Sequence, residues 1–156
     1  MKRIVIVFIF FTTICIVANG QDYKNGIGIR AGFYSGITFR HFLGDKPALE
    51  GLLATRWGGF DFTGLYEVHN RVFDVEGLRW FYGFGAHIGS YNGDHAEWGE
   101  PATRYLVFGG DGIIGIEYIF SEVPVNIGLD WKPVLNLTGY PGFWADGGAL
   151  SIRYIF

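Results

Sequence analysis

Along eight short stretches of this chain, Asp, Glu, Lys and Arg keep to one parity of the sequence, while the other parity is apolar and aromatic. The stretches run 26–34, 36–43, 48–57, 60–69, 78–90, 106–120, 125–137 and 148–156. Side chains alternate faces along a strand with a period of two, so each stretch reads as a strand with one charged and one greasy face. Glu50 and Arg56 are in phase, as are Asp61 and Glu67, Asp111 and Glu117, and Asp130 and Lys132. Arg30, Arg40, Arg79 and Arg153 stand alone on their strands. The opposite faces carry sets such as Ile27, Ile29, Phe33, then Trp80, Tyr82, Phe84, Ile88, and finally Leu150, Ile152, Tyr154, Phe156. These opposite faces carry no Asp, Glu, Lys or Arg, and one histidine, His41, intrudes near a strand end.

Alternation alone does not say which face is inside. The greasy faces hold too many large side chains for an eight-stranded lumen, which is barely wide enough to be filled. The charged faces include Gly28, Gly32, Gly83, Gly85, Gly115 and Gly128, which suit a tight interior. Trp57, Tyr66, Trp80, Tyr82, Tyr118, Trp131 and Tyr154 fall toward strand ends, where interfacial aromatic girdles belong. The expected fold is therefore all-β: an eight-stranded antiparallel up-and-down transmembrane β-barrel. A soluble, lipocalin-like cup is the opposite arrangement, with the apolar faces inward.

The lumen then holds six bases (Arg30, Arg40, Arg56, Arg79, Lys132, Arg153) and six acids (Glu50, Asp61, Glu67, Asp111, Glu117, Asp130). Buried charges persist only when paired and hydrogen-bonded, so the expected state is a salt-bridge plug. The alternative is a proton or small-ion path gated by the same pairs. Glu117, Asp130, Lys132 and Arg153, on three consecutive strands, are the expected heart of the plug. Pro133 cannot donate to a ladder, so a bulge or strand end is expected there.

Residues 1–20 combine Lys2 and Arg3, an apolar run over 4–18, and Ala18-Asn19-Gly20, which reads as a cleaved signal peptide followed by a barrel domain over 21–156. The run is shorter than the roughly 18–20 residues of a spanning helix. Cys15 does not make a lipoprotein site, because Ile14 stands where a small residue is needed. Since Cys15 is the only cysteine, the domain has no disulfide framework and no cysteine metal site. Loss of Lys2 and Arg3 deepens a net charge of −3, which excludes nucleic acid as a partner.

These features resemble the small eight-stranded outer-membrane β-barrel proteins of Gram-negative bacteria. The resemblance rests on the leader, the eight alternating strands and the closing Ser151-Ile152-Arg153-Tyr154-Ile155-Phe156. The runs 111–120 and 129–133 resemble a recurrent core in that group with no assigned activity. It implies a bacterial outer-membrane location, contact with outer-membrane lipid and lipopolysaccharide, and Tyr154 and Phe156 as a signal to the barrel-assembly machinery. It implies no particular activity.

With both termini on one side, 91–105 and 138–147 are the far-side loops large enough to contact an extracellular partner. Asp94, His95, Glu97 and Glu100 have donor types suited to a divalent cation but match no ligand spacing, so a solvated acidic loop is expected. Trp98, Phe143 and Trp144 read as partner anchors or rim aromatics. No cofactor motif is present. For enzymatic chemistry, His87 points inward and Ser90 outward, so they cannot meet, and His69 has no local Ser or Cys beside it; a non-enzymatic protein is expected, with a lipid-modifying outer-membrane enzyme as the alternative. Mass spectrometry of the membrane-extracted protein should find a mature chain starting at Gln21; a chain retaining Met1 would contradict the signal reading.

Overall fold

The computed structural model describes residues 23–72, 75–96 and 99–156, so the leader lies outside the described residues. The alternating stretches form β1 (Asn25–Gly32), β2 (Ser35–Phe42), β3 (Pro47–Arg56), β4 (Gly59–Arg71), β5 (Leu78–Asn92) and β6 (Arg104–Ile119). They continue with β7 (Val125–Trp131), β8 (Val134–Asn136), β9 (Gly142–Trp144) and β10 (Gly148–Ile155). One 3-10 turn, Gly93–His95, sits on the β5–β6 connection. β7 and β8 are one stave of the barrel, and β9 and β10 another, so ten segments make eight staves.

Each stave lies antiparallel to its neighbours in the chain, and β1 pairs with β10, for example Ile29 with Ile152, to close the sheet. The fold is thus an eight-stranded, antiparallel, up-and-down closed barrel. Stepping between paired residues once around the barrel returns to β1 displaced by ten residues. With ~3.3 Å per residue and ~4.8 Å between strands, that stagger tilts the strands by about 40° and sets a backbone radius of about 8 Å. Such an interior is filled by side chains.

Turn chemistry explains the tight connections. Trp57 (φ 47°) and Gly58 (φ 65°) are the two central residues between β3 and β4, the left-handed pair a two-residue hairpin requires. The expected Gly58-Gly59 turn is therefore shifted by one residue. The shift also takes Trp57 off the outward face, where its parity had placed it.

Pro133 does not create a bulge in its own strand. Ile114 pairs with Trp131 and Asp111 with Val134, so the register with β6 passes through it intact. Gly112 donates to the Pro133 carbonyl at 3.0 Å, and the bond lost is the one proline cannot make. The bulge lies across the other edge. Trp131 pairs with Gly148 and Val134 with Trp144, so two residues, 132 and 133, face three, 145–147. The Ala145 carbonyl there accepts from the Trp131 indole N–H at 2.5 Å. Trp131 is therefore mid-wall with its polar atom satisfied, not part of a girdle. The 138–147 loop is also shorter than expected, because β9 extends the last stave.

Exposure separates the two faces. Ile29, Phe62, Phe84, Leu129 and Leu150 stand exposed on the outer wall, whereas Leu52, Leu65, Phe81 and Ile113 form a buried cluster inside. At the closing seam a Cβ on Gly28 would stand 2.0 Å from the Ile152 carbonyl oxygen, while one on Gly51 would meet nothing within 4 Å. Gly28→Ala should cost ~1–3 kcal/mol, seen as a lower denaturant midpoint in detergent micelles. Gly51→Ala should match the parent protein.

Candidate functional site: a charge-filled lumen between aromatic caps

All twelve ionisable residues assigned to the lumen are buried. Their strands deliver them in layers. β3 presents Glu50, Leu52, Ala54 and Arg56 inward; β4 presents Asp61, Thr63, Leu65, Glu67 and His69; β6 presents Asp111, Ile113, Gly115 and Glu117. On each of these three strands a leucine or isoleucine separates one charged level from the next.

At the end that carries the chain termini, Arg40 is the hub. Its Nε donates to Glu50 at 2.7 Å and its Nη1 to Glu117 at 2.6 Å, with Glu67 at 3.0 Å from Nε. Arg153 donates to the other Glu50 oxygen at 2.8 Å, and Thr38 donates to that oxygen at 2.5 Å. His69 lies between two carboxylates, with Nδ1 2.9 Å from Glu117 and Nε2 3.0 Å from Glu67. Asn126 adds a donor to Glu117 at 2.7 Å. Arg79 is buried at the same end, its guanidinium 5.8 Å from the Phe42 ring centroid.

Halfway along the lumen, Arg30 pairs with Asp130 and also donates to the Tyr34 carbonyl at 2.9 Å and the Gly147 carbonyl at 3.2 Å. Toward the far end, Lys132 donates to Asp111 at 2.5 Å, and His87 bridges Asp111 (2.7 Å) and Asn136 (2.9 Å). Asp61 accepts from Thr63 and Tyr91, both at 2.8 Å. Arg56 reaches out of the lumen to Asp146 at 2.6 Å.

Aromatic rings close both ends. Tyr23 meets Phe42 edge-on at 5.0 Å, Phe42 packs on His69 at 4.9 Å, and His69 stacks on Phe81 at 4.9 Å. Burial, and then the Glu117 carboxylate, raise the Tyr23 hydroxyl pKa well above its ordinary value, so it stays a donor. At the far end the Arg56 guanidinium lies 3.8 Å from the Trp57 ring and 4.5 Å from the Tyr34 ring. Lys132 lies 4.2 Å from that same Tyr34 ring. Trp57 packs on Tyr91 at 5.1 Å and on Trp144 at 5.9 Å, covering this mouth.

Of the four residues expected at the heart of the plug, Glu117 and Arg153 join one network, sharing Asn126 and linked through Arg40 and Glu50. Asp130 pairs instead with Arg30, and Lys132 with Asp111. The ten-residue stagger is the reason: sequence-adjacent staves place in-phase residues at different heights. One-to-one pairing of six acids with six bases is not the pattern either, because Arg40 serves three carboxylates and Asp61 is held by hydroxyls. His69, His87, Thr38, Asn126 and Asn136 join the networks, and all share the parity of the charged face. Asp146 was invisible to that signal, because the bulge places it.

Other expected contact residues are accounted for. Asp94 accepts from the Ala102 amide at 2.9 Å and so braces its own loop. The His95 ring lies against Gly58. Trp144 belongs to the aromatic cap and also packs on Tyr140 at 6.0 Å. Glu97 and Trp98 lie outside the described residues. Tyr154 and Phe156 stack at 5.9 Å, and the Phe156 amide and carbonyl bond the Asn25 backbone, both at 2.8 Å.

The arrangement suits a lock rather than a passage: Arg40–Glu117, Arg153–Glu50 and Arg30–Asp130 tie non-neighbouring staves across the lumen, while Arg40–Glu50 and Lys132–Asp111 join adjacent ones. Glu117→Ala removes a buried carboxylate shared by Arg40, His69 and Asn126 and should cost ~3–5 kcal/mol, read as a lower melting temperature by tryptophan fluorescence. Glu117→Gln, which keeps the shape, should recover part of that loss. Comparison of the chain with protein-family models, curated proteins and solved structures gave no match.

Proposed function

We propose that this protein is an integral outer-membrane β-barrel with a closed lumen and a non-enzymatic, structural or surface-contact role. One observation carries the reading: the outer wall bears exposed Ile, Phe, Leu and Trp, while the twelve ionisable residues assigned to the lumen are buried within. In water such a wall is an apolar surface far beyond the few hundred Å² that soluble monomers expose. In lipid it is the wall a barrel requires, and each charge kept off it avoids ~2–4 kcal/mol at mid-membrane. A soluble carrier of apolar ligands needs the reverse sidedness.

Outer-membrane lipid and lipopolysaccharide are the immediate partners on this reading, and the barrel-assembly machinery is the insertion route. The far-end connections, 93–103 and 137–141, are the surface available to an extracellular partner. Their internal bracing by Asp94 and the aromatic packing of Trp144 favour a preformed surface.

The test has two arms. Expressed with its leader in a Gram-negative host, the protein should stay in the outer-membrane fraction through carbonate washing and leave only with detergent. Reconstituted in planar bilayers, it should show no steady single-channel conductance. A freely soluble mature chain would remove the membrane assignment; sustained open currents would remove the plug.

A further inference from the structure

The His69 ring is fixed between carboxylates from two staves that are not neighbours. Its Nδ1 lies 2.9 Å from Glu117 Oε1 on β6, and its Nε2 lies 3.0 Å from Glu67 Oε2 on its own strand, β4. All three side chains are fully buried. A neutral imidazole has one N–H and one bare lone pair, and an ionised carboxylate only accepts. A neutral ring here would turn its lone pair on a carboxylate oxygen at hydrogen-bond distance, two acceptors with nothing between them. Both contacts are satisfied only when the three groups hold one proton more. It sits either on the ring, as imidazolium, or on Glu67, as a carboxylic acid donating to Nε2.

The rest of the Arg40 group does not relieve Glu67. The single hydrogen on Arg40 Nε goes to Glu50 at 2.7 Å, so the 3.0 Å approach of Nε to Glu67 gives attraction without a bond. Glu67 Oε1 is buried without a hydrogen-bond partner. Glu50, by contrast, accepts from Arg40, Arg153 and Thr38, and Glu117 accepts from Arg40 and Asn126. Also facing this group are Tyr23, whose hydroxyl donates to Glu117 at 3.5 Å, and Arg79 on β5, in register with Glu117. His87 differs from His69, because its partner Asn136 can turn its amide and donate to the ring.

We propose that Glu67, His69 and Glu117 form a proton site, in which one proton held by His69 and Glu67 bridges β4 to β6 inside the lumen. The proton gives Glu67 the donor that no guanidinium supplies. The site depends on the lumen alone and stands whatever surrounds the outer wall.

The test reads the proton directly. The chain from Gln21 onward is isotope-labelled and folded in ester-free detergent micelles at about pH 7, where an ordinary histidine titrates. The His69 ring nitrogens are then assigned by magnetic resonance through the backbone. Two ring nitrogens that both resonate in the protonated position support the proposal. So does a carboxylic-acid carbonyl band in the infrared spectrum that disappears in E67Q. One bare ring nitrogen with no such band means that a lone pair faces an ionised carboxylate after all, and overturns it.

In E67Q the amide can donate to Nε2, so one His69 ring nitrogen should be bare, seen as a large downfield shift of its signal. A ring still doubly protonated in E67Q gives the proton to Glu117 alone and overturns the share assigned to Glu67. A heat-modifiable gel shift verifies that E67Q is folded; if it is not, the ring spectrum of the parent protein decides the question by itself.

Discussion

The guanidinium of Arg40, held against carboxylates from β3, β4 and β6, is the contact on which the barrel's cross-section depends. A closed sheet fixes its circumference through backbone hydrogen bonds, but those bonds do not fill the middle. An interior about 8 Å in radius collapses or floods unless side chains reach across it. Apolar side chains would fill it, yet they would also compete with the outer wall for the same oily surroundings. Charges that reach across the lumen, as Arg40 does to Glu117, have no such ambiguity: turned outward they lose that partner, and turned inward they are satisfied.

That asymmetry explains how much was legible in the residues. The parity of Glu50 with Arg56, or of Asp130 with Lys132, is enough to sort every strand into two faces and to identify the fold. It is not enough to say who meets whom. Partners depend on the stagger between staves, which is a property of the closed sheet rather than of any one segment. Glu117 and Lys132 look adjacent along the chain and lie at different heights around the axis. Trp57 was misread because a two-residue turn consumed it, and Asp146 because an inserted residue in the last stave re-aimed the backbone. Both cases are local departures from strict alternation, the only regularity available to a one-dimensional reading.

The caps complete the logic of the lumen. Tyr23, Phe42, His69 and Phe81 form a continuous run of rings at one end, and Tyr34, Trp57, Tyr91 and Trp144 gather at the other. Each set covers charged groups with a flat, polarisable surface. Ring faces attract the guanidinium of Arg56 and the ammonium of Lys132 while shedding water. The ion pairs thereby act in a drier setting than their distance from the rim alone would provide.

Leu52, Leu65, Phe81 and Ile113 form an apolar tier in the lumen beside the Arg30–Asp130 pair. Its consequence is insulation. Damage to the Arg40 group has only a narrow route by which to disturb the Lys132–Asp111–His87 group, so lesions on the two sides combine nearly additively, as those of separate domains do. A small barrel built this way tolerates drift in one compartment while the other keeps it shut.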